Sequence, residues 1–206
     1  MDLVCLDLEG VLIPEIWIAF AEETGISALR ATTRDIPDYD QLMTQRLALL
    51  DEHGLKLPEI QRVIQSLKPL PGAVEFLRGL RSAYQVVILS DTFYEFAMPM
   101  MAQLEMPTLL CHRLLVADDG QITGYRLRQV DPKRQAVKAF AELNYRIFAA
   151  GDSYNDTTML GAADAGFLFK APAHVIKEFP EFRATDDYQV LRRLIDEAAA
   201  NDTRSE

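Results

Sequence analysis

Three times along this chain a short apolar run stops at an acidic tip. Leu3-Val4-Cys5-Leu6 ends at Asp7-Leu8-Glu9, Val86-Val87-Ile88-Leu89 ends at Ser90-Asp91, and Ile147-Phe148-Ala149-Ala150 ends at Gly151-Asp152-Ser153-Tyr154-Asn155-Asp156. Unbroken apolar runs of this length read as strands buried on both faces, the mark of a parallel sheet. Right-handed crossovers set such strands side by side, and ligands bind beyond their carboxyl ends. The three tips are therefore expected to meet in one crevice, with Gly10 letting the backbone turn close to a ligand. Acids held together repel unless a cation or a shared proton relieves them, so Asp7 and Glu9 suit a metal-assisted reaction. An isolated D-x-E serves equally well to cap a turn; its recurrence at two further strand ends favours a site.

Between the first and second runs the pattern turns helical. Proline or aspartate starts and glycine stops bracket helices over 14–25 and 40–53, and a third runs over 58–67, with residues 26–39 read as a loop. This predicts a small helical cap, residues 14–69, inserted into an α/β core of residues 1–13 and 70–206. The chain enters it through Pro14 and leaves through Pro69-Leu70-Pro71-Gly72. Beyond it, helices are expected over 73–83 and 94–104 (kinked at Pro99), with a strand over 108–111. A β-hairpin turns at Asp118-Asp119-Gly120-Gln121, and a helix opens with Asp131 as N-cap and Pro132 in its first position. A helix over 157–162, a strand over 165–169 and a closing helix over 186–200 follow, and the tail 201–206 reads as disordered. The expected fold is α/β: a Rossmann-like parallel sheet with helices on both faces, plus the helical cap and the hairpin.

The net charge is −10 and no Lys/Arg cluster interrupts it, which excludes nucleic acid as a main partner. Cys5 and Cys111 sit in apolar segments without a C-x-x-C, and read as reduced, buried thiols. The N-terminus opens directly on a strand and no window is apolar enough to span a membrane, so a soluble, cytoplasmic protein is expected.

The predicted crevice holds carboxylates and a hydroxyl but no His or Cys set. All-oxygen sites select hard cations, and Mg²⁺ is the natural one because it recruits substrate phosphate as a ligand. Lys133 supplies a positive point charge for a phosphoryl group, with Arg134 as the competing cation. Carboxylate, Mg²⁺, hydroxyl and lysine are the parts of a phosphoryl-transfer site, in which an aspartate can itself be the nucleophile.

Asp7-Leu8-Glu9-Gly10-Val11, Leu89-Ser90-Asp91, Lys133 and Gly151-Asp152-Ser153-Tyr154-Asn155-Asp156 resemble, in order, the four motifs of the haloacid-dehalogenase-like phosphatases. The helical insertion after the first motif is similar to their phosphoserine phosphatase branch, in particular to bifunctional members that also pass the phosphoryl group to homoserine. The resemblance implies that Asp7 is the nucleophile and a Mg²⁺ ligand, with Asp152 a second ligand. It implies that the residue 9 carbonyl ligates the metal while the Glu9 side chain serves as acid and base. Ser90 and Lys133 would hold the phosphoryl oxygens, and Asp91 would join them in binding the substrate. Asn155 would contact the phosphate, and Asp156 would join the metal site, directly or through a metal-bound water, or orient Lys133. In the cap, Glu15 would face the substrate ammonium and Arg46 its carboxylate.

The family usually has Asp where this chain has Glu9. The extra methylene changes its reach, and activity is expected to survive with a shifted balance between water and alcohol as acceptor. For Glu15 and Arg46 the competing readings are a helix-dipole carboxylate and a solvated helix charge. His53 reads as a helix-end residue, and His112 lacks the companions of a metal site. Trp17 and Phe20 read as packing. Two functions are carried forward: a Mg²⁺-dependent enzyme moving the phosphoryl group of phosphoserine to water or homoserine, and a non-catalytic phospho-ligand sensor. A third possibility within the first class is another small-molecule phosphomonoesterase. No sequence signal sets an oligomeric state, a dimer included.

Overall fold

The computed structural model describes residues 1–32, 35–36 and 38–201. Part of the expected 26–39 loop, namely Thr33, Arg34 and Pro37, and the tail 202–206 lie outside the described residues.

A seven-stranded sheet is built on β1 (Asp2–Leu6), β2 (Gln85–Phe93), β3 (Thr108–Val116), β4 (Ile122–Arg126), β5 (Arg146–Gly151), β6 (Ala165–Phe169) and β7 (Arg183–Thr185). The spatial order is β4-β3-β2-β1-β5-β6-β7, parallel throughout except for the β3–β4 hairpin. The strand alternation decides which side each β1 residue serves. Val4 and Leu6 join the apolar cluster under α4 (Ala73–Arg81), α5 (Tyr94–Gln103) and α9 (Tyr188–Ala200). Leu3 and Cys5 face the opposite cluster, under α6 (Pro132–Glu142), α7 (Thr157–Ala162) and α8 (Ala173–Glu178). The chain leaves β1 for β2 on one side and reaches β5 on the other, so the strand order switches beside β1. A crevice opens at such a switch point, and it places Asp7 there.

The segment between β1 and α4 contains α1 (Ile16–Thr24), α2 (Tyr39–Glu52) and α3 (Leu57–Ser66). Helix α1 stops where Gly25 takes φ 73°. Helix α2 starts on Asp38, whose side chain accepts from Gln41 N–H at 2.9 Å. These helices bury Trp17, Phe20, Met43, Ile60 and Ile64 in the same cluster as Phe96 and Met100 of α5. The hairpin tip reaches the α2–α3 turn: Leu57 N–H donates to the Gly120 carbonyl at 2.9 Å, and Gln121 Nε2 to Asp51 Oδ1 at 2.8 Å.

Several expected boundaries move. Strand β2 does not stop at Leu89 but runs on to Phe93, because a register shift lets the chain bulge at Ser90–Thr92 and pair again at Phe93 with His112. Strand β3 extends to Val116 because its second half pairs with β4. A 3₁₀ turn, Ser27–Arg30, interrupts the 26–39 segment, and α8 and β7 were not anticipated; both are short, and β7 carries little apolar pattern. Asp131 holds the N-cap position of α6, yet its side chain does not cap the helix: at φ 49° it turns to Thr158 Oγ1, 3.0 Å away, and to Arg134. Among the described residues no helix is long and apolar enough to cross a membrane.

Candidate active site

The turn after β1 sets the first acid. Asp7 N–H still bonds the Ala150 carbonyl of β5 at 2.9 Å, which holds the Asp7 side chain at the strand tips. Its Oδ1 accepts from Leu8 N–H at 2.8 Å and faces Lys133 Nζ at 2.9 Å, leaving Oδ2 without these donors. Gly10 sits at φ +76°, and a Cβ there would lie 2.4 Å from Asp152 Oδ2, so the turn must be glycine for a second reason besides conformation.

The turn after β5 sets the second group. Asp156, fully buried, accepts on Oδ2 from Asp152 N–H at 3.0 Å, Ser153 N–H at 3.1 Å and Ser153 Oγ at 3.1 Å. Its Oδ1 takes Lys133 Nζ at 2.7 Å. Gly151 is equally obligatory, because a Cβ would stand 2.4 Å from Asp156 Cβ. Asp7, Asp152 and Asp156 each offer a carboxylate oxygen within 4.8 Å of the others. This hard, all-oxygen donor set fits a hard divalent cation.

Lys133, 2% exposed at the start of α6, is the hub. It touches Asp7, Asp156 and, at 3.4 Å, Asp91 Oδ2. Burial opposes its charge, but Asp156, Asp7 and Asp91 outweigh that and raise its pKa well above the lysine range. Burial likewise pushes Asp91 up, yet Lys133, His112 and Asn155 together hold it well below the usual carboxylate range. Asn155 Nδ2 donates to Asp91 Oδ2 at 2.9 Å. Ser90 is buried beside them, its Oγ accepting from Thr92 N–H at 3.2 Å.

One cation does not balance this many acids. Burial and Asp156 raise Asp7 well above its ordinary value, with Lys133 opposing. Burial, Asp156 and Glu15 raise Asp152 to about 7. Glu9 is not part of the aspartate cluster; it accepts from Ile16 N–H at 3.1 Å, and burial plus neighbouring Glu15 push it to about 8. A carboxyl with such a pKa is protonated at neutral pH and can donate.

The helical segment brings the remaining predicted residues over these tips. Glu15 occupies the N-cap position of α1 with an exposed side chain beside Glu9. Arg46 of α2 is 7% exposed, and burial lowers its pKa to about 10. Its guanidinium lies 4.4 Å over the Trp17 ring, and Nη2 donates to the Ala31 carbonyl at 2.8 Å. Its Nε is buried with no partner. An unmet donor on a buried arginine is an open place for a carboxylate. Tyr39 and Thr92 also border the site without a role read for them in the sequence, and His112, read there only as lacking the companions of a metal site, does so too: Tyr39 OH lies 3.4 Å from the Asp91 carbonyl, and Thr92 lowers the pKa of Glu9. Thr92 directly follows the Ser90-Asp91 tip, whereas Tyr39 and His112 lie outside the motifs and no local signal marks them.

A family model, described as haloacid dehalogenase-like hydrolase, matches residues 8–161. The chain belongs to the haloacid dehalogenase-like hydrolase family. Within it, the chain is 67% identical over 193 residues to a protein named phosphoserine phosphatase ThrH from Pseudomonas aeruginosa, covering 94% of each. It is also 67% identical to a phosphoserine phosphatase from Pseudomonas syringae pv. tomato, covering 94% of this chain and 81% of that one. Among solved structures, a phospho-aspartyl intermediate analogue of phosphoserine phosphatase matches with a TM-score of 0.75 at 20% identity, over 93% of this chain and 98% of that one. At that identity the likeness speaks for the haloacid dehalogenase-like fold.

Proposed function

We propose that this chain is a Mg²⁺-dependent phosphoserine phosphatase that works through an aspartyl-phosphate on Asp7 and passes the phosphoryl group to water or to homoserine. The observation that carries the reading is Lys133 clasped by Asp7, Asp91 and Asp156 at the tips of the central strands. The names of the two Pseudomonas relatives support it. Asp7, the residue 9 carbonyl and Asp152 would hold Mg²⁺. Asp156, whose carboxylate already takes four donors, would act through Lys133 or a bound water. When bound, Mg²⁺ supplies positive charge against the phosphoryl oxygens and the nucleophile.

In this reading residues 14–69 form a cap closing over a core of residues 1–13 and 70–206. Arg46, whose Nε has no partner, receives the substrate carboxylate and Glu15 its ammonium. Ser90, Lys133 and Asn155 hold the phosphoryl oxygens. Asp7 Oδ2, free of the donors on Oδ1, attacks phosphorus, and the bond to the serine oxygen breaks as Glu9 protonates it. Glu9, now a carboxylate, takes the proton of water or of the homoserine hydroxyl. The new oxygen then attacks phosphorus and releases Asp7. Homoserine exceeds serine by one methylene, worth only ~1–3 kcal/mol of discrimination, so acceptor choice rests on how the closed cap excludes water. Free, buried Cys5 and Cys111 are in keeping with a reducing cytoplasm.

Incubating the protein with phosphoserine and Mg²⁺, with and without homoserine, and identifying the products is the direct test. Phosphate, joined by phosphohomoserine when homoserine is present, is the expected result. Asp7→Asn should lower kcat by about 10³-fold or more. Binding of phosphoserine without turnover would favour the sensor instead.

A further inference from the structure

His112, in the middle of β3, takes no part in the steps above, yet it is only 4% exposed and aims at the site. Its Nδ1 accepts from Arg128 N–H at 3.0 Å. A neutral imidazole has one donor and one acceptor, so this bond puts the proton on Nε2. Nε2 lies 3.7 Å from Asp91 Oδ1. That is longer than a formed hydrogen bond, but it sets the buried imidazole edge against one oxygen of a partly exposed carboxylate. The other Asp91 oxygen is the one that meets Asn155 and Lys133. The two oxygens of Asp91 thus face different partners, and His112 lies against the oxygen that turns away from Lys133.

We infer that His112 is a positioning residue: its Nε2–H sets the rotation of the Asp91 carboxylate, and through it the place of the Lys133 ammonium beside Asp7. Three carboxylates compete for that ammonium; among the described residues Asp7 and Asp156 are also held by backbone N–H groups, whereas Asp91 is held by side chains, Asn155 and Lys133 on Oδ2 and His112 beside Oδ1. Without a donor on Oδ1, the carboxylate can rotate and draw Nζ away from Asp7. The loop from Arg128 to Lys133 is tied to the same imidazole, and the Arg128 guanidinium also donates to the Pro132 carbonyl at 2.7 Å. A purely structural role would therefore run through Nδ1 and this loop, whereas the positioning role runs through Nε2. The two ring nitrogens can be tested separately.

The inference rests on the phosphatase reading, so the assay uses Mg²⁺ and p-nitrophenyl phosphate, which needs neither Arg46 nor Glu15. Native turnover of this ester without turnover of phosphoserine would overturn the substrate and leave the His112 ranking standing. His112→Gln keeps a donor near the Nε2 position and loses the Nδ1 acceptor. His112→Asn does the reverse, and His112→Phe removes both while filling the space beside Phe93. We expect His112→Gln to retain kcat within about threefold, and His112→Asn and His112→Phe to lose about tenfold or more, with KM moving far less. Adding Asp91→Asn to His112→Phe should cost little more than Asp91→Asn alone. The inference is overturned if Asn outperforms Gln, if activity falls in step with Tm across the three variants, or if the His112 and Asp91 effects multiply independently.

Discussion

Asp7 and Asp156 show how much of this site is made by what surrounds a carboxylate. Both are buried aspartates touching Lys133, but Asp156 takes three donors from the 152–153 segment, while Asp7 takes one backbone N–H. The first is pinned and satisfied; the second keeps an oxygen free for chemistry. The glycines enforce this closeness. Gly10→Ala would push a methyl into Asp152 at a left-handed φ, which costs about 1–2 kcal/mol before the clash is counted. We expect it to lower kcat by about 10²-fold by displacing Asp152, with a smaller change in Tm. Native-like kcat in this variant would show that the Asp152 position is not critical. The acids of the three motifs could be read from the sequence because strand-tip residues lie at fixed spacing. Tyr39 and His112 could not, because each comes to the site through a tertiary contact.

Among the elements, the β3–β4 hairpin has an unexpected part. Its tip meets the α2–α3 turn through the Leu57–Gly120 backbone bond, the Gln121–Asp51 bond and a Lys56–Asp119 ion pair of 2.6 Å. The ion pair is half-exposed and contributes little. The backbone bond and the fit of Gly120, at φ +87° with the space for a Cβ only 3.1 Å from Pro58, are the stronger links. Tyr125 of β4 adds an edge-on contact with Tyr39 and a hydrogen bond to Asp40. The hairpin therefore holds the helical segment through contacts additional to the covalent links at Pro14 and Leu70. Gly120→Ala should lower Tm by about 2–4 °C and raise KM for phosphoserine, while Asp119→Ala leaves both nearly unchanged. Equal effects of the two would place the strength of this contact in the ion pair. The sequence showed the hairpin itself through its Asp-Asp-Gly-Gln turn, but nothing in a turn names the surface it docks on.

At the scale of the whole molecule, the site stores unbalanced negative charge in a protein already carrying −10. Asp7, Asp152 and Glu9 all have folded pKa values above their unfolded ones, the latter two at about 7 and about 8. Between the ordinary carboxyl range and about pH 8, the folded state thus binds more protons than the unfolded state, and stability falls as pH rises. Asp91 is depressed and acts in the opposite sense, but only below its ordinary value of 3.8. Tm of the metal-free protein should therefore be higher at pH 5.5 than at pH 8. Mg²⁺, which replaces the missing protons, should raise Tm more at pH 8 than at pH 5.5. A Tm that rises with pH over this window, or a Mg²⁺ effect independent of pH, would contradict the electrostatic account.

The sequence by itself determined the central strands of the sheet, the helical insertion and the acids at the strand tips, because apolar runs, caps and turn residues act over short spans of chain. It also placed Lys133 at the opening of a helix. Only the tertiary structure decided which carboxylates share that lysine, which way Glu9 turns, that Arg46 is buried over Trp17 with an unmet donor, and that His112 faces Asp91. Those facts depend on the strand order reversing beside β1 and on helices folding back across the tips, which bring together residues more than a hundred positions apart. Local pattern sets what each segment becomes; burial and charge between segments set what each side chain does.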